Sequence, residues 1–159
     1  ALSPFNAWVL LKGLETLEVR LERHCRNAAW IADLLAGQPA VGRVLYPHRD
    51  DHPQVDLARR QMSAGGSVIS FDLVGGKHAA FQFLDALRII DISNNLGDAK
   101  SLITHPATTT HRAMGAEGRA AVGIGDGMVR LSVGLEDTRD IAADLTAALA
   151  SLEIVEAAE

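Results

Sequence analysis

Apolar residues at Ala7, Leu10, Leu14, Leu17, Leu21, Cys25, Ala28, Ala32 and Leu35 recur at three- and four-residue spacing, which lays one helical face along residues 1–37. Ser3 followed by Pro4 begins this helix, because serine caps well and proline at the first helical position gives up an N–H that has no intrahelical partner there. Gly37 and Pro39 end it. A helix this long at one end of a domain is of the kind that bridges two domains, and Gly13 leaves room for a break or kink near it.

Shorter elements follow. The β-branched stretch 41–46 predicts a strand, the polar stretch around His48 and Pro53 a turn, and residues 54–62 a short helix. Gly65 and Gly66 open a strand over 67–73 that sets Val68, Ser70 and Asp72 on one face and Ile69, Phe71 and Leu73 on the other. Ala80, Phe83, Leu84 and Leu87 give 77–87 the stripe of an amphipathic helix. Residues 89–93, 102–104 and 128–135 are further strands, 108–111 a loop, 116–122 a short helix, and Gly123 to Gly127 a turn. Asp137 caps a final helix whose buried stripe is Ile141, Leu145, Ala148 and Leu152. Strands separated by helices in this way predict an α+β sandwich, a small sheet covered mainly on one face by helices.

Bulk properties narrow the function. At 159 residues, 48% hydrophobic and 22% charged, the chain can bury a core as one domain without disulfides, and its lone Cys25 has no partner for one. A net charge of -5 spread along the chain gives no electrostatic footprint for nucleic acid or anionic membrane. With no apolar run near the ~20 residues a bilayer demands and no signal-peptide pattern, the expected location is the cytoplasm.

Several residues invite chemistry. His105 with His111, or His48 with His52, lacks the spacing of helix-borne metal ligands, and no carboxylate or cysteine stands at a diagnostic offset. The glycines at 123, 125 and 127 precede a strand, whereas phosphate loops follow one, so they predict a turn. Cys25 falls on the apolar helix face and reads as core. Arg130 stands out: Val129, Leu131, Val133 and Leu135 take the apolar face of its strand, leaving it beside Ser132 and Gly134 with room for a guanidinium. There it can grip a carboxylate through two parallel N–H···O bonds, or it can pair with Asp126 or Glu136; spacing alone favours the pair. Asp91, Ser93 and Asn95 share a strand face opposite Ile90 and Ile92, at the edge of an Asn- and Gly-rich loop that is either a site or a turn.

Blocks running in order along the chain carry a resemblance. They include Ser3-Pro4-Phe5-Asn6-Ala7, Gly13-Leu14-Glu15-Thr16-Leu17, His52-Pro53-Gln54, Gln61-Met62-Ser63, Leu96-Gly97-Asp98-Ala99-Lys100-Ser101-Leu102, His105-Pro106-Ala107, Thr110-His111 and Val129-Arg130-Leu131-Ser132-Val133-Gly134-Leu135-Glu136. Over residues 1–152 the sequence resembles the C-terminal part of the cysteine/methionine-metabolism family of pyridoxal-phosphate (PLP) enzymes. Ile92-Ser93-Asn94-Asn95-Leu96-Gly97-Asp98, with Ala107 to Arg112, is similar to the O-succinylhomoserine sulfhydrylases rather than to the methionine γ-lyases or cystathionine-forming members.

The resemblance implies the C-terminal small domain of a fold-type I PLP-dependent transferase, with a mainly antiparallel sheet. Residues 1–37 would be the interdomain helix, 38–152 the α+β domain and 153–159 a tail. It assigns the substrate α-carboxylate to Arg130; Asn95, where many members carry serine, would donate to the same carboxylate or hold Arg130. The Schiff-base lysine, the phosphate ligands and the ring-stacking aromatic belong to a preceding large domain, and Lys12, Lys77 and Lys100 lie outside the cofactor-lysine motif. The chain, which starts at Ala1, is thus expected to be part of a longer polypeptide and by itself neither to hold PLP nor to catalyse. The implied reaction joins O-succinylhomoserine and sulfide to give homocysteine in methionine biosynthesis, with PLP as electron sink in a homotetramer. A free-standing amino-acid-binding regulatory module is the reading from another class.

Overall fold

The computed structural model describes residues 2–152, so the expected tail at 153–159 lies outside them. Ser3 caps α1 (Pro4–Glu15), its Oγ accepting from the Asn6 N–H at 3.2 Å, with Pro4 in the first turn. The predicted long helix is two. Gly13 stays helical and the break falls at Thr16, after which α2 runs over Leu17–Ala36. Arg20 secures the break: its Nη2 donates to the Gly13 carbonyl at 2.6 Å and its Nε to Thr16 Oγ1 at 3.3 Å, satisfying an acceptor at a helix end.

The predicted stripe is buried only in its second half. Ala28, Ile31, Ala32 and Leu35 of α2 enter the core, whereas α1 buries nothing and leaves Phe5, Trp8 and Leu14 at 68%, 55% and 63% exposure. Cys25, expected in the core, is half-buried beside Leu14, Leu17 and Leu21.

Five strands form one sheet, in the order β1-β2-β5-β4-β3: β1 (Val41–Leu45), β2 (Val68–Leu73), β3 (Asp91–Ile92), β4 (Leu102–Thr104) and β5 (Met128–Ser132). All neighbours are antiparallel except β3 and β4. Ile69, Phe71 and Leu73 of β2 bury one face as their alternation predicts, together with Ile103, Val129 and Leu131. Against this face pack α2, α4 (Gly76–Ala86) and α6 (Thr138–Ala150), the last capped by Asp137 as expected. Phe71 and Phe83 meet edge to face, with ring centroids 5.8 Å apart. Two short helices, α3 (Val55–Gln61) and α5 (Gly115–Ala121), complete the chain.

Two strands are shorter than their sequence patterns. β3 keeps two residues of the expected 89–93, because the N–H groups of Arg88, Ile89 and Ile90 donate to the buried Asp144 carboxylate at 2.9, 2.9 and 3.1 Å. That capture buries Ile90 (4% exposed) and leaves Ile92 on the open edge (59%), so the two isoleucines do not act as one face. β5 ends at Ser132 rather than Leu135. Beyond it, α2 and Ser101 take over the backbone: His24 Nδ1 sits 2.6 Å from the Val133 carbonyl, Asn27 Nδ2 donates to Gly134 O at 3.0 Å, and Leu135 N donates to Ala99 O at 2.7 Å.

Candidate functional site

The register that pairs Ser70 with Arg130 and Arg130 with Thr104 puts these three on the sheet face away from the three covering helices. Arg130 is half-buried there, between two small neighbours, and its Nη2 donates to the Asn94 carbonyl at 3.0 Å. Neither acid offered by the sequence pairs with it. Asp126 accepts from Arg119 at 3.2 Å, and Glu136 accepts from Ser101 N at 2.6 Å and Ser101 Oγ at 3.0 Å. Among the described residues no carboxylate lies within ion-pair distance of Arg130. A cation oriented by a backbone carbonyl, but without a counter-charge, presents its remaining N–H groups to an incoming anion.

The loop that orients Arg130 is pinned by its own side chains and by the strands beneath. Thr104 Oγ1 donates to Asn94 Oδ1 at 3.2 Å and lies 2.9 Å from Thr109 Oγ1. Gly97 N donates to Ser132 Oγ at 2.9 Å, with Gly97 at φ 80°, where a side chain would be strained. Asn95 is exposed, its N–H donating to Ser93 Oγ at 3.3 Å. Of the two roles offered to Asn95, holding Arg130 belongs instead to the carbonyl of Asn94. Sequence reasoning picked the loop and set Ser132 beside Arg130 on the same strand face, and missed the Asn94 carbonyl and Thr104.

The other candidates fall elsewhere. Both His105 nitrogens are engaged, Nδ1 with Thr108 Oγ1 at 2.9 Å and Nε2 with the Asp126 carbonyl at 2.8 Å, which fixes the proton on Nε2. His111 Nδ1 lies 2.8 Å from Thr110 Oγ1, and His52 Nδ1 accepts from Gln54 N at 3.2 Å. Among the described residues no group of three His, Cys, Asp or Glu side chains is placed to hold a metal ion. No described helix is long and apolar enough to cross a membrane.

The lysines answer whether this chain can itself hold PLP covalently. Lys12 Nζ pairs with Glu15 at 3.0 Å, Lys100 Nζ with Asp91 at 2.5 Å, and Lys77 Nζ lies over the Phe81 ring, 5.5 Å from its centroid. All three are exposed, and Asp91 holds the Lys100 ammonium above its usual range. A Schiff-base lysine needs the opposite, a site that favours the neutral amine. None of the three lysines has such surroundings.

Comparison with known proteins places this domain. It is 62% identical over 153 residues to the O-succinylhomoserine sulfhydrylase of Mycobacterium tuberculosis, covering 94% of this chain and 38% of that protein. It is 48% identical to the L-methionine gamma-lyase of Pseudomonas putida over 148 residues, 93% of this chain and 37% of that one. The crystal structure of cystathionine gamma synthase from Xanthomonas oryzae pv. oryzae superposes with a TM-score of 0.88 at 47% identity, covering 93% of this chain and 38% of that chain. The chain thus spans under two fifths of these relatives' length and carries their fold where it matches. The model of the Cys/Met metabolism PLP-dependent enzymes matches residues 1–150, the segment that holds Arg130 and its orienting loop, and the chain belongs to that family.

Proposed function

We propose that this chain is the C-terminal small domain of an O-succinylhomoserine sulfhydrylase, a PLP-dependent transferase that replaces the γ-succinyl group of its substrate with sulfide and forms homocysteine for methionine biosynthesis. The observation that carries the reading is Arg130, a half-buried guanidinium held by the Asn94 carbonyl with no acid beside it. Its place is to grip the substrate α-carboxylate, with Asn95 donating a further hydrogen bond to the same group. A charge-assisted bidentate pair of this kind contributes about 2–4 kcal/mol and fixes the orientation of the substrate about its Cα. The higher identity to a sulfhydrylase, 62% against 48% for a lyase, supports the choice within the family.

In this reading the cofactor lysine and phosphate ligands lie in a large domain outside this chain. Residues 1–37 form the element that meets that domain, which accounts for the uncovered Phe5, Trp8 and Leu14 of α1, and 38–152 form the small domain. The assembled enzyme is a cytoplasmic homotetramer.

The test is product analysis of the intact gene product loaded with PLP. Homocysteine from O-succinylhomoserine and sulfide supports the reading. A second reading, a methionine γ-lyase or cystathionine γ-synthase, rests on the 47–48% identities to those enzymes. Methanethiol from methionine, or cystathionine from cysteine, with no homocysteine from sulfide, would replace the first reading with the second.

A further inference from the structure

One cavity has a composition that the carboxylate site does not explain. Lys77, Ala107, Thr108, Arg112, Arg119 and Asp126 line a space of about 430 Å³ where α4 begins and β5 is about to start. That volume falls within the roughly 300–1,000 Å³ typical of small-molecule sites. Three cations face it and one acid, and that acid is already committed to Arg119 at 3.2 Å. Lys77 and Arg112 have no ion-pair partner among the described residues, so the cavity carries two uncompensated positive charges.

A second observation points the same way. Arg119 is largely buried, yet its Nε has no hydrogen-bond acceptor, and a buried charged donor left unsatisfied is costly enough to call for an explanation. The floor is rigid: His105 bonds to the Asp126 carbonyl and to Thr108 Oγ1, and packs on Phe81, whose ring also lies under the Lys77 ammonium. At the rim α4 starts from Gly75 with no side-chain cap and no acid in its first turn, so its first N–H groups add positive potential beside Lys77. Arg130, which donates to the Asn94 carbonyl, is not among the residues that line this cavity.

We propose that this cavity binds a small dianion of the phosphate type, a phosphate monoester or free phosphate, held by Lys77, Arg112 and Arg119. Two charges on the ligand match the two the cavity leaves open, and the volume beyond the oxyanion accepts the organic part of a monoester.

The experiment is calorimetric titration of inorganic phosphate into the intact PLP-loaded enzyme at low ionic strength, so that the cofactor already fills its own phosphate site. The variants are Lys77→Ala with Arg112→Ala, both exposed positions that the fold does not need, and Arg130→Ala. Saturable binding that weakens at least about tenfold in the double variant and is unchanged in Arg130→Ala supports the proposal. Absence of saturable binding, binding unchanged in the double variant, or binding lost equally in Arg130→Ala overturns it. Should the double variant unfold, Lys77→Gln alone gives the same reading with the fold kept.

Discussion

Gly134→Ala tests whether the end of β5 is built as described. An added Cβ there would meet the Lys100 carbonyl carbon and the Ser101 nitrogen at 2.5 Å each, and would also run into Glu136 Oε2. Two of these are backbone atoms that cannot rotate away. The contacts broken as the chain shifts are Gly134 N to Ser101 Oγ at 2.8 Å, Ser101 N to Glu136 at 2.6 Å, and Ser101 Oγ to Glu136 at 3.0 Å. Two involve a carboxylate, so losing this set costs about 3–5 kcal/mol, a fall of roughly 8–15 °C in unfolding midpoint for a domain of this size. Gly13→Ala is the control: its Cβ meets nothing within 4 Å on an exposed helix, and it should stabilise by up to about 1 kcal/mol. Thermal unfolding of both variants reads the contrast, with backbone exchange at Ser101 as the local report. A Gly134→Ala midpoint within about 1 °C of the parent would refute the close approach.

Two further predictions follow from the same contacts. Ser132→Ala frees Gly97 N from its 2.9 Å bond and loosens the loop whose Asn94 carbonyl orients Arg130. In the intact enzyme KM for O-succinylhomoserine should rise about five- to tenfold with kcat within about twofold, a split that general destabilisation would not give. Tyr46 donates to the Gly66 carbonyl at 3.0 Å in a buried setting, and burial first, then the charges of Cys25 and Asp33, pushes its phenol from 10.0 to about 12. Because the folded value lies above the unfolded one, the neutral phenol stabilises the fold fully below pH 10 and that contribution is lost as pH rises through about 12. Phenolate absorbance, read as a difference from Tyr46→Phe, should titrate near 12; a midpoint near 10 would contradict the burial.

The fold was legible wherever one residue's alternation or capping decides the element. The Ile69, Phe71, Leu73 face of β2, the Asp137 cap of α6 and the Ser3-Pro4 start of α1 all stand where local chemistry put them. What escaped was decided by partners distant in sequence. Asp144 shortens β3 from 54 residues away, Asn27 and His24 reshape the end of β5 from 107 and 109 residues away, and none of these leaves a periodic trace. The helix break depended on Arg20 reaching back to Gly13, so glycine marked the neighbourhood and threonine the position. For the site, strand alternation set Arg130 on the face away from the core, but spacing favoured an ion pair, and that alternative fell only when Asp126 and Glu136 were seen to be engaged elsewhere. Asn94 escaped because it acts through its backbone carbonyl, which side-chain chemistry does not advertise.

The account stands most directly on kcat/KM of Arg130→Ala in the intact PLP-loaded enzyme with O-succinylhomoserine and sulfide, measured beside the visible spectrum of the bound cofactor. Removing the carboxylate grip should lower kcat/KM about 30- to 1,000-fold, the equivalent of about 2–4 kcal/mol, with the spectrum unchanged because in the proposed reading Arg130 grips the substrate and not the cofactor. An unchanged kcat/KM would contradict the role given to Arg130.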